Sequence, residues 1–302
     1  MSTVTEPIEI IEHAPIATWF AVGGGADRLA RPDSLEQIAA CVRTERAVRV
    51  LGDGANLLVD DDGIDGLVLD TRGLDRVEID AVRGLVRAGA GARLPQLIND
   101  TVRAGLGGLE ALAGIPASVG GAVVMNAGGK FGEIAGVVRA VEAIDASGEP
   151  VRLERGEIAF AYRRSGLDGL IVTSAEFALT PEDPATVRER QKACMAYKKG
   201  TQPLGADSAG CCFKNPTLPH YLEGIAPAGE RVGAGLLLDR AGCKGLRAGG
   251  AEVSAAHANF IITHPGATAR EVIALMDRAA ARVMDRFGVR LEREVVVWER
   301  SR

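Results

Sequence analysis

Gly107-Gly108-Leu109-Glu110-Ala111-Leu112-Ala113-Gly114-Ile115-Pro116-Ala117-Ser118-Val119-Gly120-Gly121-Ala122-Val123-Val124-Met125-Asn126-Ala127-Gly128-Gly129 is the stretch on which the fold turns. Its glycines and proline keep it from forming one regular helix. Its small side chains let main-chain groups line a flat, extended ligand closely. The competing reading is an apolar core crossing broken by turns, and composition does not separate the two. A second glycine-rich run, Gly52-Asp53-Gly54-Ala55-Asn56-Leu57-Leu58-Val59, lies upstream. There the N–H groups can point at phosphate oxygens, although the run is equally a tight turn. It fits neither the G-x-x-x-x-G-K-[ST] nor the G-x-G-x-x-G spacing, so P-loop and Rossmann readings fail.

Around these runs the pattern alternates strand and helix. Residues 1–15 read as a tail. Ser34 and Gln37 suggest a capping box before the helical spacing of Leu35, Ile38, Ala39 and Val42. Val48 to Leu51, Gly66 to Asp70 and Leu85 to Ala88 read as strands, and Leu94, Leu97, Ile98 and Val102 as a helix face. Val141 to Asp145 and Val151 to Leu153 flank a hairpin connection, and Leu170 to Leu179 is a long strand. Asp183-Pro184 marks a helix start and the expected domain boundary. Beyond it, Thr268 and Glu271 form a second capping box, Gly288 stops that helix, and Leu291 to Trp298 reads as a final strand.

The chain has 302 residues, 47% hydrophobic and 25% charged, with 38 glycines and a formal net charge of -5. That length suggests about two domains, and the charge excludes a global basic field for nucleic acid. The low aromatic content argues against a base-stacking platform. No apolar run is long enough to span a bilayer, and the acidic N-terminus lacks a signal-peptide layout. The five cysteines, without C-x-x-C spacing, predict reduced thiols in the cytoplasm and no metal site.

In order along the chain stand the two glycine-rich runs, Tyr162-Arg163-Arg164-Ser165, Gln202-Pro203, Ser208-Ala209-Gly210-Cys211-Cys212-Phe213-Lys214-Asn215-Pro216, Ala241-Gly242-Cys243-Lys244-Gly245, His257-Ala258-Asn259-Phe260 and Leu291-Glu292-Arg293-Glu294-Val295. Together they resemble the UDP-N-acetylenolpyruvoylglucosamine reductases, the MurB flavoenzymes of peptidoglycan synthesis, in the shorter form without a tyrosine-bearing loop. The resemblance implies an α+β fold. A FAD-binding region of vanillyl-alcohol-oxidase (PCMH) type in two subdomains, residues 16–182, precedes a C-terminal α+β substrate domain, residues 183–302.

The resemblance further implies non-covalent FAD as cofactor, NADPH as co-substrate and UDP-N-acetylglucosamine enolpyruvate as substrate, with no nucleic acid, membrane insertion or required protein partner. Gly52, Gly54, Ala55, Asn56, Leu57, Gly114, Ile115, Pro116, Ser118, Gly120, Gly121, Asn126, Ala127 and Gly128 are the expected cofactor-binding residues. Tyr162, Lys214, Asn215, Lys244 and Asn259 are expected to bind substrate. Arg163, Glu294 and Cys211 match the catalytic positions. A cation must stabilise the carboxylate as it takes enolate character, which suits Arg163. Strand alternation puts Glu294 opposite Leu291, Val295 and Val297.

Cys211 stands where the family commonly has serine. A thiol is a far stronger acid than an alcohol, so the role of proton donor is preserved, whereas Cys212 should face elsewhere. Ala55 replaces a usual serine and removes one donor near the pyrophosphate. His257 is expected to order the local backbone. Two other readings compete: a flavin-dependent alcohol or sugar oxidase of the same fold, and a non-catalytic nucleotide-sugar sensor.

Overall fold

The computed structural model describes residues 8–45 and 47–301. Two compact units emerge, each assembled from separated stretches of chain. The first comprises residues up to Ala14, Ala26–Asp53 and Asp65–Lys198; the second comprises Pro15–Gly25, Gly54–Ile64 and the chain from Lys199 onward.

Among the described residues, the first unit contains two larger sheets, of four and five strands, beside two short two-stranded ones. In the four-stranded one, Ile10–Ala14 pairs antiparallel with Ala26–Ala30, and Val48–Leu51 runs parallel to Ile64–Asp70. The helix Leu35–Thr44 contributes Ile38 and Cys41 to the core against Leu67, Leu69 and Ile144. Ser34 caps its start, its Oγ accepting from the Gln37 N–H, but the Gln37 side chain accepts from the Asp33 N–H, so only half of the expected capping box forms. The five-stranded sheet is antiparallel throughout, in the order Pro150–Glu154, Val138–Ile144, Ile171–Ala178, Leu85–Gly89, Val77–Asp80. Alternate residues Val86 and Ala88, and Ala175 and Phe177, enter its core, as the period of two requires. The helix Leu94–Arg103 covers that core with Leu94, Leu97, Ile98 and Val102.

The second unit packs the helices Ala234–Arg240 and Ala269–Phe287 with the antiparallel strands Ala251–Val253 and Ile261–Thr263. The long helix begins with the expected capping box: Thr268 Oγ1 accepts from the Glu271 N–H, and the Glu271 carboxylate accepts from the Thr268 N–H. It ends at Gly288 in the left-handed region, φ +61°.

The structure departs from the sequence expectations in three places. The stretch expected as a tail, residues 1–15, contributes the strand Ile10–Ala14, although residues 1–7 lie outside the described ones. The division also differs from the expected break between 182 and 183. The helix Pro184–Thr201 buries Val187 and Cys194 in the first core. Phe20 and Leu58, meanwhile, are fully buried in the second. The final strand covers only Val296–Trp298. Residues before it bridge instead to the Cys212–Lys214 segment, through Arg293 opposite Phe213.

What draws Gly54–Ile64 into the second unit is visible bond by bond. Leu57–Val59 pairs in parallel register with Val296–Trp298. Asp61 accepts the Ala269 and Arg270 N–H groups at 2.7 and 3.1 Å, holding the first turn of the long helix. Phe20 offers its carbonyl to Thr263 Oγ1 at 2.6 Å while its ring is wholly buried. Phe20→Ala is therefore expected to destabilise the second unit by about 3–5 kcal/mol. Urea unfolding of the two proteins measures the difference.

Candidate flavin and substrate site

In the first unit Gly52, at the head of the first glycine-rich run, meets the second run at Ser118. The strand Val48–Leu51 delivers the chain to Gly52, and Thr71 Oγ1 fixes the exit by donating to the Leu51 carbonyl at 3.0 Å. Beside it lies Asp70, fully buried against Arg31 and Arg72. Burial alone would raise its pKa, but side-chain and backbone hydrogen bonds from Arg72, and one from Arg31, outweigh that and hold it below the usual carboxylate range. A Cβ at Gly52 would collide with Ser118 Oγ. The Ser118 hydroxyl is already engaged: it caps the short helix Val119–Val124 by accepting the Gly121 N–H at 3.2 Å.

Gly120 is packed tightly, since a Cβ there would stand 2.8 Å from the Ala90 Cβ. Gly121 is exposed, and a Cβ would meet only Ser118 Oγ, at 3.2 Å. Gly114 to Ala117 and Ala127-Gly128 are half-buried. This is a strip of open main chain lined by residues without bulk, which fits a flat cofactor carrying phosphates. Gly54, Ala55, Asn56 and Leu57 belong to the second unit. Gly54 has φ +63°, and its approach to the Ala17 carbonyl leaves no room for a side chain.

Asn126 does something the sequence did not announce. It is wholly buried with φ +43°. Its Nδ2 donates to the Ala161 carbonyl at 2.9 Å and its Oδ1 accepts from the Ala135 N–H at 3.2 Å. Expected as a cofactor ligand, its side chain instead holds the tight turn on which Tyr162 and Arg163 sit. That turn closes through reciprocal bonds between Ala161 and Arg164. Arg163 occupies the left-handed region, φ +57°, uncommon for a side chain of this size. Its guanidinium lies over the Tyr162 ring and Nη2 donates to the Gly128 carbonyl at 2.9 Å. Arg163 is thus tied to the end of the second glycine-rich run.

Lys198, near the end of the helix Pro184–Thr201, was not among the expected site residues. The structure buries it, with 8% of its surface exposed, and lays its stem against Gly114. Its spacing from Val187 and Cys194 on one helical face was the available signal.

The second unit gathers the remaining candidates. The Asp207–Phe213 segment runs antiparallel to Asn259–Thr263, with Cys211 opposite Phe260. Cys212 is buried in the core, where desolvation pushes its thiol up to about 12 and keeps it protonated. Cys211 is half-buried and lies outside that core, on the other face. Glu294 is fixed beside the pair, because its N–H donates to the Cys212 carbonyl at 2.8 Å. Asn56 steadies the same point: Nδ2 donates to the Glu294 carbonyl at 3.0 Å, and its own carbonyl accepts from Val296.

The expected substrate residues are largely engaged within the protein. Asn259 forms a two-way bond with the Phe213 main chain, at 2.8 and 3.0 Å. It is 2% exposed, so it shapes the segment after Cys212 rather than presenting an amide to a ligand. Asn215 Oδ1 accepts the Ala234 N–H at 2.9 Å, at the start of a helix. Lys214 pairs with Glu292 at 2.6 Å and Lys244 with Asp239 at 2.8 Å. These exposed pairs are weak, so either ammonium can exchange its partner for a phosphate. His257 orders the backbone as expected: Nδ1 accepts the Asn259 N–H at 3.2 Å. Burial, and then the neighbouring Lys244 charge, lower its pKa and favour the neutral ring.

Comparison with known proteins identifies the family in two steps. Residues 26–154 match the FAD binding domain family, and with the open glycine strip they make the chain a FAD-binding oxidoreductase. Residues 202–298 match the UDP-N-acetylenolpyruvoylglucosamine reductase C-terminal domain family. The chain is 42% identical over 299 residues to the UDP-N-acetylenolpyruvoylglucosamine reductase of Moorella thermoacetica, covering 96% of this chain and 94% of that one. It is 40% identical over 306 residues to UDP-N-acetylenolpyruvoylglucosamine reductase 2 of Symbiobacterium thermophilum, covering 98% and 94%. The crystal structure of the Thermus caldophilus enzyme superposes with a TM-score of 0.78 at 36% identity, covering 96% of this chain and 98% of that one. The chain belongs to the UDP-N-acetylenolpyruvoylglucosamine reductase family.

The two neighbouring glycines should respond differently to substitution. Gly121→Val is expected to yield a folded protein of near-normal melting temperature but with flavin content reduced at least tenfold, because its side chain projects from the open strip. Gly120→Val should lower the melting temperature itself, by overpacking against Ala90, at a cost of about 1–3 kcal/mol. Flavin absorbance and thermal melting, recorded on both variants, check this.

Proposed function

We infer that this protein reduces UDP-N-acetylglucosamine enolpyruvate to UDP-N-acetylmuramate in peptidoglycan synthesis, with NADPH as reductant. The observation that carries the reading is the joint presence of the Gly52–Ser118–Gly121 strip in a FAD-binding region and the Cys211–Glu294 pair in the domain typical of these reductases. Bound FAD supplies the hydride relay between NADPH and the terminal carbon of the enolpyruvyl group. No helix among the described residues is long and apolar enough to cross a membrane, and we place the reaction in the cytoplasm on the absence of paired cysteines.

The residue roles follow from chemistry. Arg163 holds the substrate carboxylate and offsets the negative charge that develops there. Its guanidinium is braced by Tyr162 and the Gly128 carbonyl, so little reorganisation accompanies the reaction. The Cys211 thiol gives its proton to the carbon next to the carboxylate, producing the lactyl ether. Glu294 hydrogen-bonds the enolic oxygen. Lys214 and Lys244 supply positive charge for the diphosphate. Cys212, buried and protonated, takes no part.

An anaerobic spectrum tests the function: NADPH should bleach the yellow protein, and the enolpyruvyl nucleotide should restore the colour. Recovery by oxygen alone, with no response to the nucleotide, would instead indicate an oxidase. Arg163→Lys keeps the charge but loses the planar fork. Reoxidation by substrate is expected to slow about a hundredfold, with reduction by NADPH close to normal; equal slowing of both steps would assign Arg163 to the flavin.

Cys211→Ala should lower turnover by about a hundred- to ten-thousand-fold while flavin reduction persists. Cys211→Ser should recover much of the loss, and Cys212→Ala should leave the chemical steps unchanged. Steady-state turnover with single-wavelength flavin kinetics distinguishes these outcomes, and a damaging Cys212→Ala beside a silent Cys211→Ala would reverse the assignment.

A further inference from the structure

Ser208 lies on the approach to Cys211 and has no part in the scheme above. The residue is 8% exposed, and its hydroxyl is the buried side-chain polar atom among the described residues that lacks a hydrogen-bond partner. A buried hydroxyl in that condition is costly and uncommon.

The local register shows where this hydroxyl faces. The Thr263 N–H donates to the Asp207 carbonyl at 3.0 Å, and farther along Cys211 stands opposite Phe260. The chain advances four residues on one side and three on the other, so one residue is extra. Gly210, with φ +81°, is where the extra residue is accommodated, as in a β-bulge that begins with a left-handed glycine. Without the bulge, positions 208 and 211 would fall on opposite faces. With it, Ser208 and Cys211 share one face, and Ala209 and Cys212 share the other. The burial pattern agrees, since Ala209 and Cys212 both enter the second core.

We propose that the Ser208 hydroxyl is a substrate-binding group, donating a hydrogen bond to the carboxylate of the enolpyruvyl substrate on the face that carries Cys211. The inference rests on the reading of Cys211 as proton donor. The proton goes to the carbon bonded to that carboxylate, so a donor on the same face is suited to orient it. An anionic oxygen is also the acceptor that best compensates a desolvated O–H. The bulge is what brings a donor and a proton source to one side of an extended segment.

The test uses the FAD-loaded enzyme without NADPH, so that no turnover occurs. Binding of UDP-N-acetylglucosamine enolpyruvate is followed by flavin absorbance, against UDP-N-acetylglucosamine, which lacks the carboxylate. Ser208→Ala is expected to weaken the enolpyruvyl nucleotide about ten- to a hundredfold and leave the comparison nucleotide unchanged. Ser208→Thr, which keeps the hydroxyl, should restore most of the loss.

In the absence of nucleotide, Ser208→Ala should melt at or above the wild-type temperature, because it removes an unpartnered buried donor. Unchanged affinity for the enolpyruvyl nucleotide overturns the proposal, as does equal weakening of both nucleotides. A lower melting temperature, or failure to fold, overturns it too, by showing that the hydroxyl serves the protein itself. If the wild-type enzyme is reduced by NADPH but not reoxidised by the enolpyruvyl nucleotide, the functional reading fails instead.

Discussion

The parallel pairing of Leu57–Val59 with Val296–Trp298 is the contact on which the second unit depends. It joins an early segment to the end of the chain, and Asn56 extends the join by one more bond to the Glu294 carbonyl. Glu294 in turn donates to the Cys212 carbonyl, and Asn259 bonds the Phe213 main chain from the other side. The three stretches thus form a continuous backbone network that fixes the main chain of Glu294 and of the segment bearing Cys211. Reactive residues positioned this way need little rearrangement as charge develops.

In the first unit Asn126 serves the same end by a different route. A wholly buried amide spans Ala135 and Ala161 and thereby fixes the turn that bears Arg163. The left-handed backbone of Arg163 is unfavourable for such a residue. It is maintained because the turn, the Tyr162 ring and the Gly128 carbonyl together constrain it. Strain of this kind is commonly found where a side chain must be aimed.

Much of this was legible in the residues. Local signals worked where they act locally: Ser34, Thr268 with Glu271, and Gly288 mark helix ends as capping chemistry requires. The hairpin of Val138–Ile144 with Pro150–Glu154 follows from alternation around a turn. The resemblance supplied the flavin and the reaction, which no periodicity could. What escaped was non-local. That residues 54–64 leave their neighbours for a distant strand cannot be read from hydrophobic spacing, because the pairing partner is unknown until the fold exists. Asparagine amides misled for a related reason: Asn126 and Asn259 resemble ligand-binding groups in sequence, yet both complete backbone hydrogen bonds in the interior.

The closing of the second unit by its last strand has a consequence for biosynthesis. Leu57, Leu58 and Val59 emerge from the ribosome early, whereas Val296 follows only after about 240 further residues, which at ordinary elongation rates takes roughly 10–50 s. During that interval three apolar residues, all buried in the finished protein, have no partner strand. The first unit meanwhile acquires its last core helix once Thr201 has been made. Translation therefore imposes an order on assembly: the nascent chain must carry an unpaired apolar segment, a natural client for a holding chaperone, until synthesis is nearly complete.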